Sequence, residues 1–145
     1  MGTSHWGAAV AAIWLSMAMP AGLSAQEEPP AGPGAIGLEL NKLEQVDASC
    51  RAYIVIRNDS GADLESLDVD LVTFQSQGVI GSRYRVELAP VAAEKTLVKT
   101  FDLADVECAQ IERVLLNDVV TCPPFEAAAC LAALELSTLS VEFFR

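Results

Sequence analysis

The sequence predicts a small, mainly β domain: an antiparallel β-sandwich of immunoglobulin or fibronectin type with one short helix near the C-terminus. Three observations predict it. About six or seven short segments carry apolar residues with period two, spaced roughly 8 to 14 residues apart by turn residues. One Ala- and Leu-rich stretch breaks that rhythm late in the chain. Four cysteines follow what reads as an export leader, and 145 residues leave room for one domain. A small α+β sheet with the helix on one face is the alternative arrangement.

Residues 1–25 contain no Asp, Glu, Lys or Arg. Ala8 to Met19 is an unbroken small-and-apolar run that Pro20 and Gly22 end, and Ala25 offers a small residue for cleavage before Gln26. That is the layout of a secretory signal peptide, and the run is shorter than the roughly 20 apolar residues a membrane span requires. Two features depart from the pattern: Met1–Gly7 has no Lys or Arg, and Leu23 stands where a small residue is preferred. No twin Arg and no Cys lies near the cleavage point. Residues 26–34 carry Pro29, Pro30, Pro33, Gly32 and Gly34 beside Glu27 and Glu28, a composition expected of an extended tether. The folded domain is expected over 35–145.

In the body, Ile36, Leu38 and Leu40 share one face opposite Glu39 and Asn41. Arg51–Arg57 is rich in β-branched and aromatic residues and stops at the turn Asn58-Asp59-Ser60-Gly61. Leu67, Val69 and Leu71 alternate with Asp68 and Asp70, after which the apolar phase shifts to Val72 and Phe74, as one inserted bulge residue would cause. Gln75–Gly78 reads as a hairpin turn with Gly78 at positive φ. The return strand places Ile80, Tyr84, Val86 and Leu88 on one side and Arg83, Arg85 and Glu87 on the other, and Ala89-Pro90 ends it. Thr96–Leu103 is a further strand, with Leu97, Phe101 and Leu103 in phase and Lys99 interrupting them. Ile111–Val120 reads as a strand covered on both sides. Phe125–Leu136 reads as the helix, with Glu126 in its first turn, and Thr138–Phe144 as the closing strand.

Four cysteines allow three pairings. Cys50 opens the second strand, and Cys108 lies between two later strands at the same end of the stack, whereas Cys122 and Cys130 flank the turn at the opposite end. Strand order therefore selects Cys50–Cys108 and Cys122–Cys130. The long loop closed by the first contributes about 4 kcal/mol. No two cysteines stand in C-x-x-C spacing, and the single histidine, His5, lies in the leader, so neither a zinc site nor a redox pair is assembled.

The charge of −11, from 20 acids against 9 bases, argues against nucleic acid and against anionic lipid as partners. Once the leader is removed, no stable membrane span is expected. Without a histidine base or a G-x-S-x-G elbow, Ser60, Ser76, Ser82 and Ser137 lack the set nucleophilic catalysis requires. Nothing singles out two of the acids as a glycosidase pair. Asp59, Asp63, Glu65, Asp68 and Asp70 form an acidic run, but Asn58–Asp63 does not match a calcium loop, and the run reads as a polar turn followed by a solvated strand face. Asp102, Asp105 and Glu107 read the same way. No catalytic residue, metal or cofactor is expected.

Arg83-Tyr84-Arg85 is the one concentrated positive feature, suited to a carboxylate-bearing partner or to keeping an exposed strand soluble. Val141–Arg145, if it forms an edge, suits addition of a partner strand. The expected function is a non-catalytic module binding a protein or envelope component. A small-ligand or cation-binding module comes second, and a hydrolase last.

The order of Leu38-Glu39-Leu40-Asn41-Lys42-Leu43, Cys50, Asn58, Leu71-Val72-Thr73-Phe74, Gly78, Phe101, Cys108 and Leu115-Leu116-Asn117-Asp118-Val119 before Cys122 resembles a group of small exported alphaproteobacterial proteins without an established function. The likeness spans roughly Leu38 to Phe144. It implies a periplasmic location and brings no active site with it.

Overall fold

The computed structural model describes residues 1–4 and 32–145; the expected leader beyond residue 4, and all of the expected tether except residues 32–34, lie outside them. Among the described residues eight strands and one α-helix follow in order: β1 (Ile36–Val46), β2 (Ser49–Asn58), β3 (Asp68–Phe74), β4 (Ile80–Glu87), β5 (Thr96–Leu103), β6 (Arg113–Thr121), α1 (Ala127–Ala133), β7 (Leu134–Thr138) and β8 (Glu142–Phe144). They make two four-stranded sheets, β5-β2-β1-β7 and β4-β3-β6-β8. The fold is mainly β and sandwich-like. One core cluster joins the inner face of the first sheet, with Ile36, Leu38, Leu40, Ile54, Ile56, Leu103 and Leu134, to that of the second, with Val69, Leu71, Val86, Val114, Leu116, Val119 and Phe143. Alternation at period two puts these residues on one side of each strand.

The sheets are mixed rather than wholly antiparallel. Strand β1 pairs antiparallel with β2 but parallel with β7, and β6 pairs antiparallel with β3 but parallel with β8. The cause lies in the last third of the chain. Strand β6 ends beside Asp68, at the end of the sandwich where β1 begins, and α1 hands the chain back at that same end. Consequently β7 runs alongside β1, Ile36 opposite Leu134.

The C-terminal segment also departs from expectation. The helix covers Ala127–Ala133 rather than Phe125–Leu136, and the single closing strand expected over Thr138–Phe144 is divided between two sheets. Leu134 and Leu136 continue the apolar rhythm of a strand against β1, a demand that outweighs their helix preference. Thr138 fixes the crossover: its hydroxyl donates to Val141 O at 2.7 Å and accepts from Ser140 N at 3.0 Å.

The expected bulge at Leu71/Val72 is absent from β3, whose residues pair in sequence. The extra residues lie in its neighbours, Val120 and Asn117 in β6 and one residue between Ile80 and Arg83 in β4. Val72 and Phe74 therefore belong to the outer face in phase with Asp70, and the insertion in β4 turns Ile80 outward too, 67 % exposed. In β6 the same device brings Val119 into the core beside Val114 and Leu116 and leaves Val120 outside. The turn before β4 spans Ser76–Gly78, with Gly78 at φ 75° and Gln77 also left-handed at φ 60°.

Disulfides join Cys50 to Cys108 and Cys122 to Cys130, one at each end of the stack. At the Cys122 end, fully buried Asn58 organises the loops. Its amide donates to Ala62 O, Val91 O and Ala92 O at 2.9, 2.8 and 3.1 Å, and its oxygen accepts from Ser60 Oγ at 2.6 Å. The entering chain is tied to the same loop, Gly34 N–H donating to Ser60 O.

Two outcomes follow from this bracing. Replacing Cys50 and Cys108 together by Ala lowers the unfolding free energy by about 4 kcal/mol in urea titration under non-reducing conditions. Asn58→Ala removes the buried amide that joins the carbonyls of Ala62, Val91 and Ala92 and costs about 2 kcal/mol by the same measurement.

Candidate functional site

The outer face of sheet β4-β3-β6-β8 is ruled in cross-strand rows. Asp68 of β3 stands between Glu87 and Thr121, Asp70 between Arg85 and Asp118, Val72 between Arg83 and Leu115, and Phe74 between Ile80 and Arg113. Parity alone puts the arginines of β4 and the aspartates of β3 on the same side. Tyr84, between them in sequence, turns to the inner side and donates its hydroxyl to Ala104 O at 3.0 Å. The structure thus separates the three residues singled out from sequence: Arg83 and Arg85 form a pair on the outer face, and Tyr84 seals the gap between the sheets.

Arg83 is held by a two-point contact. Its Nε donates to Asp70 Oδ1 at 2.7 Å and its Nη2 to Asp70 Oδ2 at 2.5 Å, and Asn117 Nδ2 donates to Oδ2 at 2.7 Å. The Asp70 side chain is only 8 % exposed, whereas that of Arg83 is 69 % exposed. Asp70 is therefore not part of a solvated strand face as its sequence position suggests. It is a buried anchor that fixes an exposed guanidinium. Its hydrogen bonds from Arg83 hold the Asp70 carboxyl below the ordinary value of 3.8, outweighing burial. Arg85, 58 % exposed, reaches Asp68 Oδ2 at 3.3 Å. Asp70, Arg83, Arg85, Asp118 and Val120 line a shallow depression of about 370 Å³.

Above this row, Glu87 binds the start of β3. One carboxylate oxygen accepts Leu67 N–H at 2.9 Å and Ala89 N–H at 2.8 Å, and the other accepts from Ser66 Oγ at 2.8 Å. Burial pushes Glu87 upward, but the hydrogen bonds from Leu67, Asp68, Ser66 and Ala89 hold it down to about 2. Asp68 moves the other way, raised by its hydrogen bond to Glu87. Below the row, the Arg113 guanidinium lies 5.1 Å from the Phe74 ring and 5.4 Å from that of Phe144, leaving Val79 and Ile80 exposed beside them.

The sequence reading missed Asp70, Asn117 and Glu87. A signal was present: acids at Asp68 and Asp70 and arginines at Arg83 and Arg85 share the same two-residue spacing on the two arms of one hairpin. Three other acidic residues of the two runs have partners away from this face. Asp59 pairs with Arg57, Asp63 accepts Ala93 N–H, and Asp102 takes Arg51 through two hydrogen bonds. Among the described residues no group of three or more His, Cys, Asp or Glu is placed to hold a metal ion. Among those residues, too, no helix is long and apolar enough to cross a membrane.

No family model, curated protein or solved structure matches this chain.

The carboxylates set the acid limb of stability. Asp70 and Glu87 are depressed in the folded chain, so their contribution is present above their ordinary values of 3.8 and 4.5 and is lost as pH falls below them. Asp68, raised, opposes this, its contribution being lost as pH rises. The melting temperature accordingly falls between pH 4.5 and about 2, and Glu87→Gln gives a shallower fall over that window in thermal melts. Arg83→Ala leaves Asp70 with Asn117 alone and lowers stability at neutral pH by about 1–3 kcal/mol. Asp70→Asn/Arg83→Ala, which removes the buried charge as well, recovers part of that loss.

Proposed function

We propose that this chain is an exported, non-catalytic interaction module of the periplasm that docks a protein partner on the outer face of sheet β4-β3-β6-β8. The observation carrying this reading is the Arg83–Asp70–Asn117 clamp. A buried carboxylate and an amide hold an arginine at the surface, so that its remaining N–H groups are presented without the entropy cost of ordering a free side chain. Arg85 beside it and the Phe74–Arg113–Phe144 stack below add the guanidinium and aromatic surface in which protein interfaces are enriched.

Export is supported by the uncharged apolar segment of residues 1–25 and by two disulfides, which belong to oxidising compartments. Two stacked four-stranded sheets also support an immunoglobulin- or fibronectin-like sandwich, with the parallel β7 and β8 as departures from it.

A photo-crosslinking residue at Val120, on this face, gives a discrete adduct from an envelope extract. The same residue at Thr100, on the other sheet, gives none. Arg85→Glu weakens the Val120 adduct, as does added salt. Absence of any adduct, or the same adducts from both positions, overturns the reading.

A further inference from the structure

Each sheet ends in two strands with a free edge, and they are unequally protected. Strands β7 and β8 are short, five and three residues. Strand β5 carries Lys99 in phase with its core-facing residues, and the ammonium donates to Ala89 O across the gap between the sheets at 3.1 Å. A charge turned inward on an edge strand is a known guard against pairing with another chain. Strand β4 has eight residues, no proline and no inward charge. From Arg83 to Glu87 it pairs with β3 without a register shift, so the segment carries no bulge, and among the described residues β3 is its one partner in the sheet. In such a strand alternate amides and carbonyls point away from the neighbour.

We propose that β4 is a docking edge that takes an extended acidic segment of a partner protein as a ninth strand, with carboxylates at alternate positions. This deepens the interaction reading above and rests on it. Charge chooses the occupant. Side chains of an added strand alternate in step with those of β4, so residues spaced two apart lie beside Arg83 and Arg85 on the outer face, and the one between them lies beside half-buried Tyr84. A carboxylate–apolar–carboxylate sequence answers Arg-Tyr-Arg. Asp70 and Asp68 occupy the arginines from the β3 side, which leaves their other N–H groups to the free edge. A second copy of this chain is a poor occupant. The antiparallel self-pairing centred on Tyr84 sets each Arg83 against an Arg85, like charges directly opposite one another.

The probe is a capped peptide of about seven residues, an ordinary strand length, with Glu alternating with Val. Two companions accompany it: one with Lys for Glu, and one with N-methyl groups on every second amide. Amide hydrogen exchange is followed on the full disulfide-bonded chain at low ionic strength. The Glu peptide slows exchange of the β4 amides about tenfold, an effect reduced by salt, and neither companion does so. Arg85→Glu, checked for unchanged circular dichroism, abolishes the response to the Glu peptide and acquires one to the Lys peptide. No slowing at β4, slowing at β5 instead, or equal slowing by the N-methylated peptide overturns the proposal. A discrete Val120 adduct together with an unprotected β4 overturns strand addition and leaves the interaction reading standing. Protection of β4 without any envelope adduct supports the docking edge and overturns the envelope reading.

Discussion

The contact between the two inner faces is the interaction on which everything else depends. Ile36, Leu38, Leu40, Ile54 and Ile56 from one sheet meet Val69, Leu71, Leu116 and Phe143 from the other, and each such side chain is worth about 1.5–3 kcal/mol when fully buried. Two four-stranded layers are thin, however, and their free edges leave the gap between them open to water. The chain closes it with side chains and loops rather than with more strands. Tyr84 and Lys99 cross the gap on the β4–β5 side, each bonding a backbone carbonyl, while α1 and the β7–β8 crossover serve the opposite side. The disulfides close the two ends.

That closure explains why polar chemistry accumulates on the outer face of one sheet. The inner face of β3 is committed to the core through Val69 and Leu71, so Asp68 and Asp70, at the alternate positions, must face outward. As the second strand in from the edge, β3 is flanked on both sides, and an outward aspartate there loses most of its water to its neighbours. Asp70 is tolerable because Arg83 and Asn117 replace that water with charge-assisted hydrogen bonds. A side chain that is a packing problem for the sheet thereby becomes the anchor of an exposed arginine held at two points. The Glu87–Asp68 pair repeats the logic one row up, where backbone amides of Leu67 and Ala89 take the place of a cation.

Much of this was readable from residue order. Period-two segments located β2 to β6 to within two residues, and the first half of β1, because side-chain alternation and turn chemistry are local properties. The cysteine pairing followed from which strand ends fall together. Lys99 interrupted its strand without a reason until its carbonyl partner came from a segment ten residues away in sequence and in the other layer. The Arg83–Asp70 clamp was hidden for the same reason: each half has an unremarkable local meaning, one as edge protection and the other as a polar strand face.

The sequence by itself determined a mainly β domain and its disulfide framework, since these rest on residue type and spacing. Only the tertiary structure decided that the last strands run parallel to β1 and β6, that Leu134–Thr138 extends instead of coiling, and that one aspartate is buried while its neighbours in the run are not. Those outcomes depend on which end of the stack a connection reaches and on where a neighbouring strand inserts an extra residue. Both are set by pairing between segments as many as 98 residues apart, as where Thr138 meets Leu40, and no local window contains them.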